Sequence, residues 1–555
     1  MPDKEALAVG LDFGTESVRA LFVDLDGNQH GWASSRYKHG QITTKLPGSG
    51  QRLPPRYALQ HPVDWVAAAA RATRGAWRKV ADKRARVIGI GVDFTSCTML
   101  PALRDGTPLC VLPEFSKNPL AWPKLWKHHG AISQTEHINR VAHQRREPFL
   151  ERYGGTVGLE WFFPKLLETL QNAPEVYRAA EVWIEAGDWL VWQLVGGPAD
   201  QAARSTCQAG YKGMWSSQDG FPSKPFLRAV HPELVDVVRT KMPGRMRVPG
   251  QIAGRLSPEM ARRLGLKAGT PVSTAIIDAH AGVPGVGAAD PGALVMVCGT
   301  SSCHMINATE YRSVPGVAGV VRDGILPGMF GYETGQAAVG DAFDWLRRLV
   351  GKKNFVQLTA KAGDLEPGAE GVVCVDWFNG CRTPLMDGNL RGGFLGLTLG
   401  HEPHHLYRAL LESTAFGLRW IVELLREKGL PVRKFIATGG LPHRNPLFVQ
   451  VAADVLGESI LIHPSRQGPA LGAAILGAVA AGKRAGGFSS VRSAVRTIGG
   501  VRKGVNGRQG TIVPPNRARA KKYAPAYARY RQAAEFIWQA GRPGSDPSAD
   551  RGASA

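Results

Sequence analysis

The stretch LAVGLDFGTESVRALFVDLDG, residues 7–27, decides the fold. Its apolar run Ala8–Phe13 carries one acid, Asp12, breaks at Gly14, and resumes as Arg19–Asp24 before the turn Asp26-Gly27. That outline predicts a β-hairpin with Gly14–Ser17 as the tight connection. Asp12 then stands at the end of the first strand, beside a loop of small residues and hydroxyls. Such a loop offers backbone N–H and side-chain O–H groups to an anion, and a carboxylate beside it can hold hydrated Mg²⁺. Taken alone, the stretch reads equally well as an ordinary hairpin with an exposed acid.

A second copy changes the balance. Residues 293–307, ALVMVCGTSSCHMIN, repeat the pattern: an apolar run, then Gly299-Thr300-Ser301, then another apolar segment. Two Gly-Thr hairpins, one opening each half of the chain, predict a duplicated α/β domain with a phosphate chain gripped between the copies. Two actin-like (ribonuclease-H-like) domains around an interdomain cleft are the architecture of sugar kinases, Hsp70 and actin.

Composition sets the bounds. At 555 residues the chain is long enough for two or more domains with full cores, and 44% apolar with 21% charged residues is ordinary for a globular protein. The opening MPDKEALAVG lacks the basic segment and apolar core of a secretory signal. No apolar run approaches the ~18 residues of a membrane span. Seven scattered cysteines give no disulfide framework. The expected setting is the cytoplasm, with no membrane partner. The net charge of +22 is concentrated: Lys483 to Arg531 holds thirteen Lys/Arg and no acid. Nucleic-acid binding is the functional reading of such a run. However, its Tyr523, Tyr527 and Tyr530 fall at helical spacing and read as packing residues, so a solvated surface is preferred and no nucleic-acid partner is expected. The Gly/Pro/Ser/Asp-rich residues 541–555 are expected to be a disordered tail.

Along the chain, Pro62–Val80, Glu160–Leu170, Glu181–Leu194, Ala338–Leu349, Pro403–Lys428 and Leu447–Leu456 read as helices. Val87–Val92 is a strand ending in Asp93, and Pro271–Ile277 is a strand ending in Asp278. Arg204–Trp215 reads as a polar loop carrying Lys212. Gly282, Gly285 and Gly287 suit an interdomain hinge, which sets the domains at 1–284 and 285–540. His401-Glu402-Pro403-His404-His405 satisfies the H-E-x-x-H zinc pattern only formally, because Pro403 breaks the continuous helix the motif needs. Neither a Walker loop nor a dinucleotide fingerprint is present.

Three glycine turns remain, at Gly14, Gly299 and Gly439-Gly440, together with three strand-end acids, Asp12, Asp93 and Asp278. Phosphoryl transfer needs positioning, charge neutralisation and a base for the attacking hydroxyl. Thr15, Ser17 and Thr300 are candidates to hold phosphates, Asp12 to hold the metal, and Asp278 to serve as base. The Gly439-Gly440 turn would let a flat adenine approach the backbone.

These residues resemble the FGGY carbohydrate kinases and, within them, the ribulokinase branch, over about Leu7 to Trp538. GLDFGTESVRALFVD, GVDFTSCTMLP, PEFSKNPLAWPKLWKHH, EWFFPKLLE, CQAGYKGMW, IIDAHAG, VCGTSSCHM, GYETGQAAVGD, VDWFNGCRTP and ATGGLPHRNPLFVQVAADVLG are each similar to a family block, in order. The resemblance implies ATP and Mg²⁺ as cofactors and phosphorylation of the terminal hydroxyl of L-ribulose in L-arabinose breakdown. It implies Asp278 as the catalytic aspartate and Ser96, Lys212 and Glu333 as sugar-contacting residues. Gly299, Thr300, Gly440 and Asn445 fall on the nucleotide side. Kinases for D-ribulose, ribitol or xylulose are the alternatives, and a non-catalytic actin-like ATPase or sugar sensor is a second. The oligomeric state is left open, a homodimer being one option.

Overall fold

The first hairpin forms where its pattern places it, as β1 (Ala6–Phe13) and β2 (Ser17–Asp24), and β3 (Gln29–Arg36) extends it. In the computed structural model, which describes residues 5–352, 354–500 and 509–540, β4 (Arg86–Phe94) lies parallel to β1 on its other side. The strands β5 (Ile252–Arg255), β6 (Pro271–Ser273) and β7 (Ile276–Ile277) complete a sheet in the order β3-β2-β1-β4-β6-β5, with β7 also paired to β4. Between β3 and β4 runs α1 (Pro62–Trp77), whose Trp65, Ala69 and Ala72 are buried against the sheet.

The second half repeats this design. Its hairpin is β8 (Ala293–Cys298) and β9 (Ser302–Ala308). The sheet continues through β10 (Gly319–Arg322), β11 (Phe330–Gln336), β12 (Lys434–Thr438), β13 (Ile460–Ile462) and β14 (Thr511–Val513), in the order β10-β11-β9-β8-β12-β13-β14. Each sheet thus has an antiparallel hairpin whose first strand pairs in parallel with a strand arriving by a helical crossover. The duplication read from two Gly-Thr turns is a duplication of strand order. Among the described residues no helix is long and apolar enough to cross a membrane, and all seven cysteines are free thiols.

Helices from both halves meet at the middle. The helix α2 (Thr206–Lys212) packs on β10, α3 (Asp278–Gly285) follows β7, and α5 (Gly468–Ala481) lies across β1 and β4 of the first sheet. Gly282 and Gly285, read as part of a hinge, lie inside α3. The α3–α5 crossing brings backbones together: a Cβ on Gly285 would stand 2.0 Å from the Gly468 carbonyl oxygen, and one on Gly472 1.8 Å from that of Ala281. The same holds beneath α5, where a Cβ on Gly91 would meet the Ala473 carbonyl oxygen at 1.7 Å. Gly91→Ala should therefore destabilise the chain by about 3 kcal/mol or more, since backbone rather than a side chain must yield. Gly363→Ala, in a helix with nothing within 4 Å of the new methyl, should be neutral or gain up to about 1 kcal/mol. Denaturant midpoints of the two variants check the contrast.

Two expectations are corrected. Glu181–Leu194 is not one helix: Val182–Glu185 is a strand paired with Met99–Ala102, and a helix runs only over Ala186–Val195. The apolar stretch Val182–Ile184 is too short for its period to separate a buried strand from a buried helix. Nor is Arg204–Trp215 a loop, since Ala203–Ser205 is a strand and α2 follows at once, capped by the Ser205 hydroxyl on the Gln208 N–H.

The basic C-terminal segment finds acids elsewhere in the chain. Arg492 and Arg496 pair with Asp290, Arg519 with Asp454, Lys522 with Glu366 and Arg531 with Glu423. The long helix α4 (Pro403–Glu427) packs against α6 (Arg517–Ala540), where Tyr523, Tyr527 and Tyr530 surround Phe416. The 541–555 tail lies outside the described residues.

Candidate active site

The strand register assembles the acids. Asp12 and Asp93 are direct neighbours across β1 and β4, and Ile276 of β7 stands on the far side of Asp93. Asp278 comes two residues after Ile276, at the head of α3. Side chains alternate along strands, so Asp12 leaves the sheet on the face of Gly10, and Asp93 on that of Gly91. Those glycines lie under α5, and the carboxyls emerge beyond it.

Each acid has a different environment. Arg19, opposite Asp12 on β2, donates to its Oδ2 at 2.7 Å, and the charge of Asp12 raises the Arg19 pKa. Asp278 accepts the Ala279 N–H at 2.7 Å. Its carboxyl keeps some contact with solvent, yet the enclosing protein first, and the charge of Asp12 second, push it up to about 7. Asp93 is fully buried, and neither of its oxygens has a hydrogen-bond partner. Burial first, then the charges of Asp12 and Asp278 and the close approach of the Asp12 carboxyl to its own, hold it well above the usual carboxylate range.

The turn between β1 and β2 is held from three sides. The Gly14 N–H donates to the Ser17 carbonyl at 3.0 Å, the Tyr37 hydroxyl to the Gly14 carbonyl at 3.0 Å, and Gln60 to the Thr15 carbonyl at 2.8 Å. Trp126 Nε1–H donates to the Thr15 hydroxyl at 3.0 Å, which leaves that O–H free to donate to an anion. In the second turn the Gly299 N–H donates to the Ser301 carbonyl at 2.9 Å. Its Gly299 and Thr300 carbonyls accept from Gly340 and from Val339 at 3.1 and 3.0 Å. Gly439 belongs beside this turn, because its backbone has φ +95° and a Cβ there would stand 2.4 Å from the Cys298 carbonyl oxygen. Gly440 is exposed next to it. Asn445 is mostly engaged internally: its amide nitrogen donates to the Tyr407 hydroxyl at 2.9 Å, and its oxygen caps the following helix at the Phe448 N–H, 3.1 Å away.

A second buried group spans the two halves. Lys212, the last residue of α2 rather than part of a loop, donates to both carboxylate oxygens of Glu333 on β11, each at 3.0 Å. Both side chains are nearly inaccessible, at 7% and 4% exposed. Burial pushes the Glu333 carboxyl up, but the charge of Lys212, together with His280 and Arg382, more than reverses this and holds it well below its ordinary value. His280 Nε2 lies 3.4 Å from Glu333, burial lowers the ring's pKa, and Tyr211 packs on it at 4.1 Å. The Lys212 ammonium sits 5.5 Å over the Trp161 ring. His280, which touches Glu333, and Asp278 belong to the first turn of the same helix, α3, so the ion pair and the acids face one cleft. Ser96 follows β4 on a turn whose Cys97 has φ +46°. The buried Lys165 ammonium donates to the Cys97 carbonyl and holds that turn in place.

Roles for His280, Arg382, Trp161 and Arg19 were not read from the sequence. All four lie within motifs quoted above, but nothing local marks a histidine or arginine whose partner lies far along the chain. The zinc pattern at His401 is absent as geometry, since Glu402 caps α4 and Pro403 is its first residue. His39, His61 and Asp64 bring ligand atoms within 4.8 Å of one another. The two rings stack 16° from parallel, however, so their in-plane lone pairs do not converge on one ion. Around Asp12 the acids Asp93 and Asp278 offer carboxylate oxygens, which suit a hard cation such as Mg²⁺ rather than zinc. The buried Asp93 carboxyl, set against that of Asp12, places a second pair of oxygens there.

Residues 7–285 match the N-terminal domain, and residues 294–481 the C-terminal domain, of the FGGY family of carbohydrate kinases. The chain belongs to that family. This FGGY kinase is 45% identical over 507 residues to a ribulokinase from Anoxybacillus flavithermus, covering 89% of each chain. It is 41% identical over 544 residues to a ribulokinase from Mycolicibacterium smegmatis, covering 95% and 93%. The xylulose kinase from Rhodospirillum rubrum, 22% identical, superposes with a TM-score of 0.75 over 96% of this chain and 99% of that one. A glycerol kinase from Plasmodium falciparum with ADP does so at 17% identity and TM-score 0.75, over 96% and 98%. The fold is the two-domain, actin-like fold of sugar kinases, and kinases of this family use ATP.

Proposed function

We propose that the chain transfers the γ-phosphoryl group of ATP to the terminal (5-) hydroxyl of L-ribulose, giving L-ribulose 5-phosphate and ADP in L-arabinose breakdown. The substrate follows the ribulokinases that are 41–45% identical to it over most of its length. The chemistry rests on one observation above the others. Asp278 heads the helix whose His280 touches Glu333 of the buried pair Lys212–Glu333, and its carboxyl, pushed up to about 7, suits a base poised near the working pH.

In this reading Asp278 takes the proton of the attacking hydroxyl. Lys212 and Glu333 orient the sugar by donating to and accepting from its other hydroxyls, and the Ser96 turn supports it from the first lobe. Gly14, Thr15 and Ser17 on one turn, with Gly299 and Thr300 on the other, bind the phosphate chain. Gly439, Gly440 and Asn445 flank the adenosine, Asn445 through the helix start that it caps. Asp12 holds Mg²⁺, which supplies charge neutralisation along the phosphates. The lobes are 1–284 and 285–540, the setting is cytoplasmic, and a homodimer is compatible with the reading.

A coupled ADP-release assay across L-ribulose, D-ribulose, xylulose, ribitol and glycerol tests it. L-ribulose is expected to give the highest kcat/KM, by about tenfold or more, a margin that differential hydroxyl recognition supports. A higher value for another polyol would transfer the reading to that substrate. ADP release with none of them would leave the sensor alternative.

A further inference from the structure

Asp93 is an acid of the cleft that the proposed reaction leaves without a task. Its neighbours each have a partner: Asp12 has Arg19, Asp278 the Ala279 N–H, and Glu333 has Lys212. Asp93 is 0% exposed, and among the described residues neither of its oxygens is hydrogen-bonded. A buried carboxyl pressed against a second one costs stability, and asparagine would fill the same volume without a second acid beside Asp12. The position is also tightly defined. Asp93 stands directly beside Asp12 in the strand register. The helix α5 covers Gly10 and Gly91, two residues before each acid, in backbone contact. The two carboxyls are therefore side by side at the same level, past the helix, against the turn that begins at Gly14.

We propose that Asp93 is a second carboxylate ligand, direct or through a water, for the divalent cation held at Asp12. Mg²⁺ is commonly bound by one or two carboxylates, with waters and substrate phosphates filling its octahedron. Paired strands supply the second carboxylate here, and a cation between the two carboxyls would replace the proton that otherwise keeps them together. This rests on the reading of Asp12 as the metal-side residue of a kinase.

The test uses Asp93→Asn and the full-length chain, with Mn²⁺ as the paramagnetic probe, titrated in the presence of ADP and read by electron paramagnetic resonance. The variant is expected to bind Mn²⁺ at least tenfold more weakly than the wild type. Its unfolding temperature without metal is expected to equal or exceed the wild-type value. Mn²⁺ affinity within twofold of wild type would overturn the proposal. So would a lowered metal-free unfolding temperature with unchanged metal affinity, which would make the carboxyl a structural tie between β1 and β4. Should the Asn variant not fold, Asp93→Ala is titrated in the same way, and the same tenfold criterion decides. Failure of the substrate reading is separable. If wild-type protein phosphorylates none of the sugars but the variant loses Mn²⁺, the inference stands. If wild type phosphorylates L-ribulose and the variant keeps Mn²⁺, only the inference falls.

Discussion

Asp278→Asn is expected to lower kcat by about 10³-fold or more, toward the upper end of what a positioned general base contributes, while L-ribulose still binds. An amide keeps the shape and the Ala279 contact but cannot take a proton. The wild-type pH profile carries the same signature. The Asp278 carboxyl is held at about 7 by burial first and by the charge of Asp12 second, so below that pH the base is already protonated. With ligands below saturation, kcat/KM should fall as pH drops through about 7, and the residual activity of the Asn variant should lack that limb. Stability should move the opposite way. The group's pKa is raised on folding, so the folded chain binds this proton more tightly than the unfolded one, and stability is lost as pH rises through about 7. At pH 8 the Asn variant, free of that buried charge, should unfold at a higher temperature than wild type. Near-normal turnover, or loss of sugar affinity in step with kcat, would remove Asp278 from the role of base.

The parts of this site legible from sequence are those set by local pattern. The Gly14 and Gly299 turns follow from apolar runs broken by glycine. The strand ends at Asp93 and Asp278 follow from runs of β-branched residues closed by an acid. What stayed hidden depends on contacts between distant segments. Lys212 and Glu333 lie 121 residues apart, and only α2 docking on the edge strand β10 brings the lysine to β11. His280 and Arg382 acquire a role only once Glu333 is placed. Glycine signals both flexibility and close approach, and the close approach of Gly285 shows only with the partner helix α5, nearly 200 residues downstream. The basic segment after Lys483 is one-sided in sequence, yet Arg492 and Arg496 pair with Asp290 and Arg519 with Asp454. Charge counted along a chain is not charge on a surface.

Lys212→Ala should be the most disruptive change to the sugar side, and it separates two effects. Removing one member of a buried ion pair leaves the other charge uncompensated, at about 3–5 kcal/mol. Glu333 would retain only Arg382 and the neutral His280 nearby. The denaturant midpoint should fall accordingly, and the KM for L-ribulose should rise far more than that for ATP, whose turns lie at Gly14 and Gly299. A double variant, Lys212→Met with Glu333→Gln, tells stability from recognition. It removes both charges and keeps the volumes close, so it should recover most of the lost stability. Replacing a buried pair with neutral groups of similar size is often neutral or stabilising. Sugar affinity should not return, because the donor that holds a ribulose hydroxyl is gone. If the double variant regained both, the pair would be a structural bolt between the two halves and the sugar would be held elsewhere. If Lys212→Ala raised the KM of ATP and of ribulose equally, the lysine would lie outside the sugar site, and its contact with Glu333 would serve to fix α2 against β11.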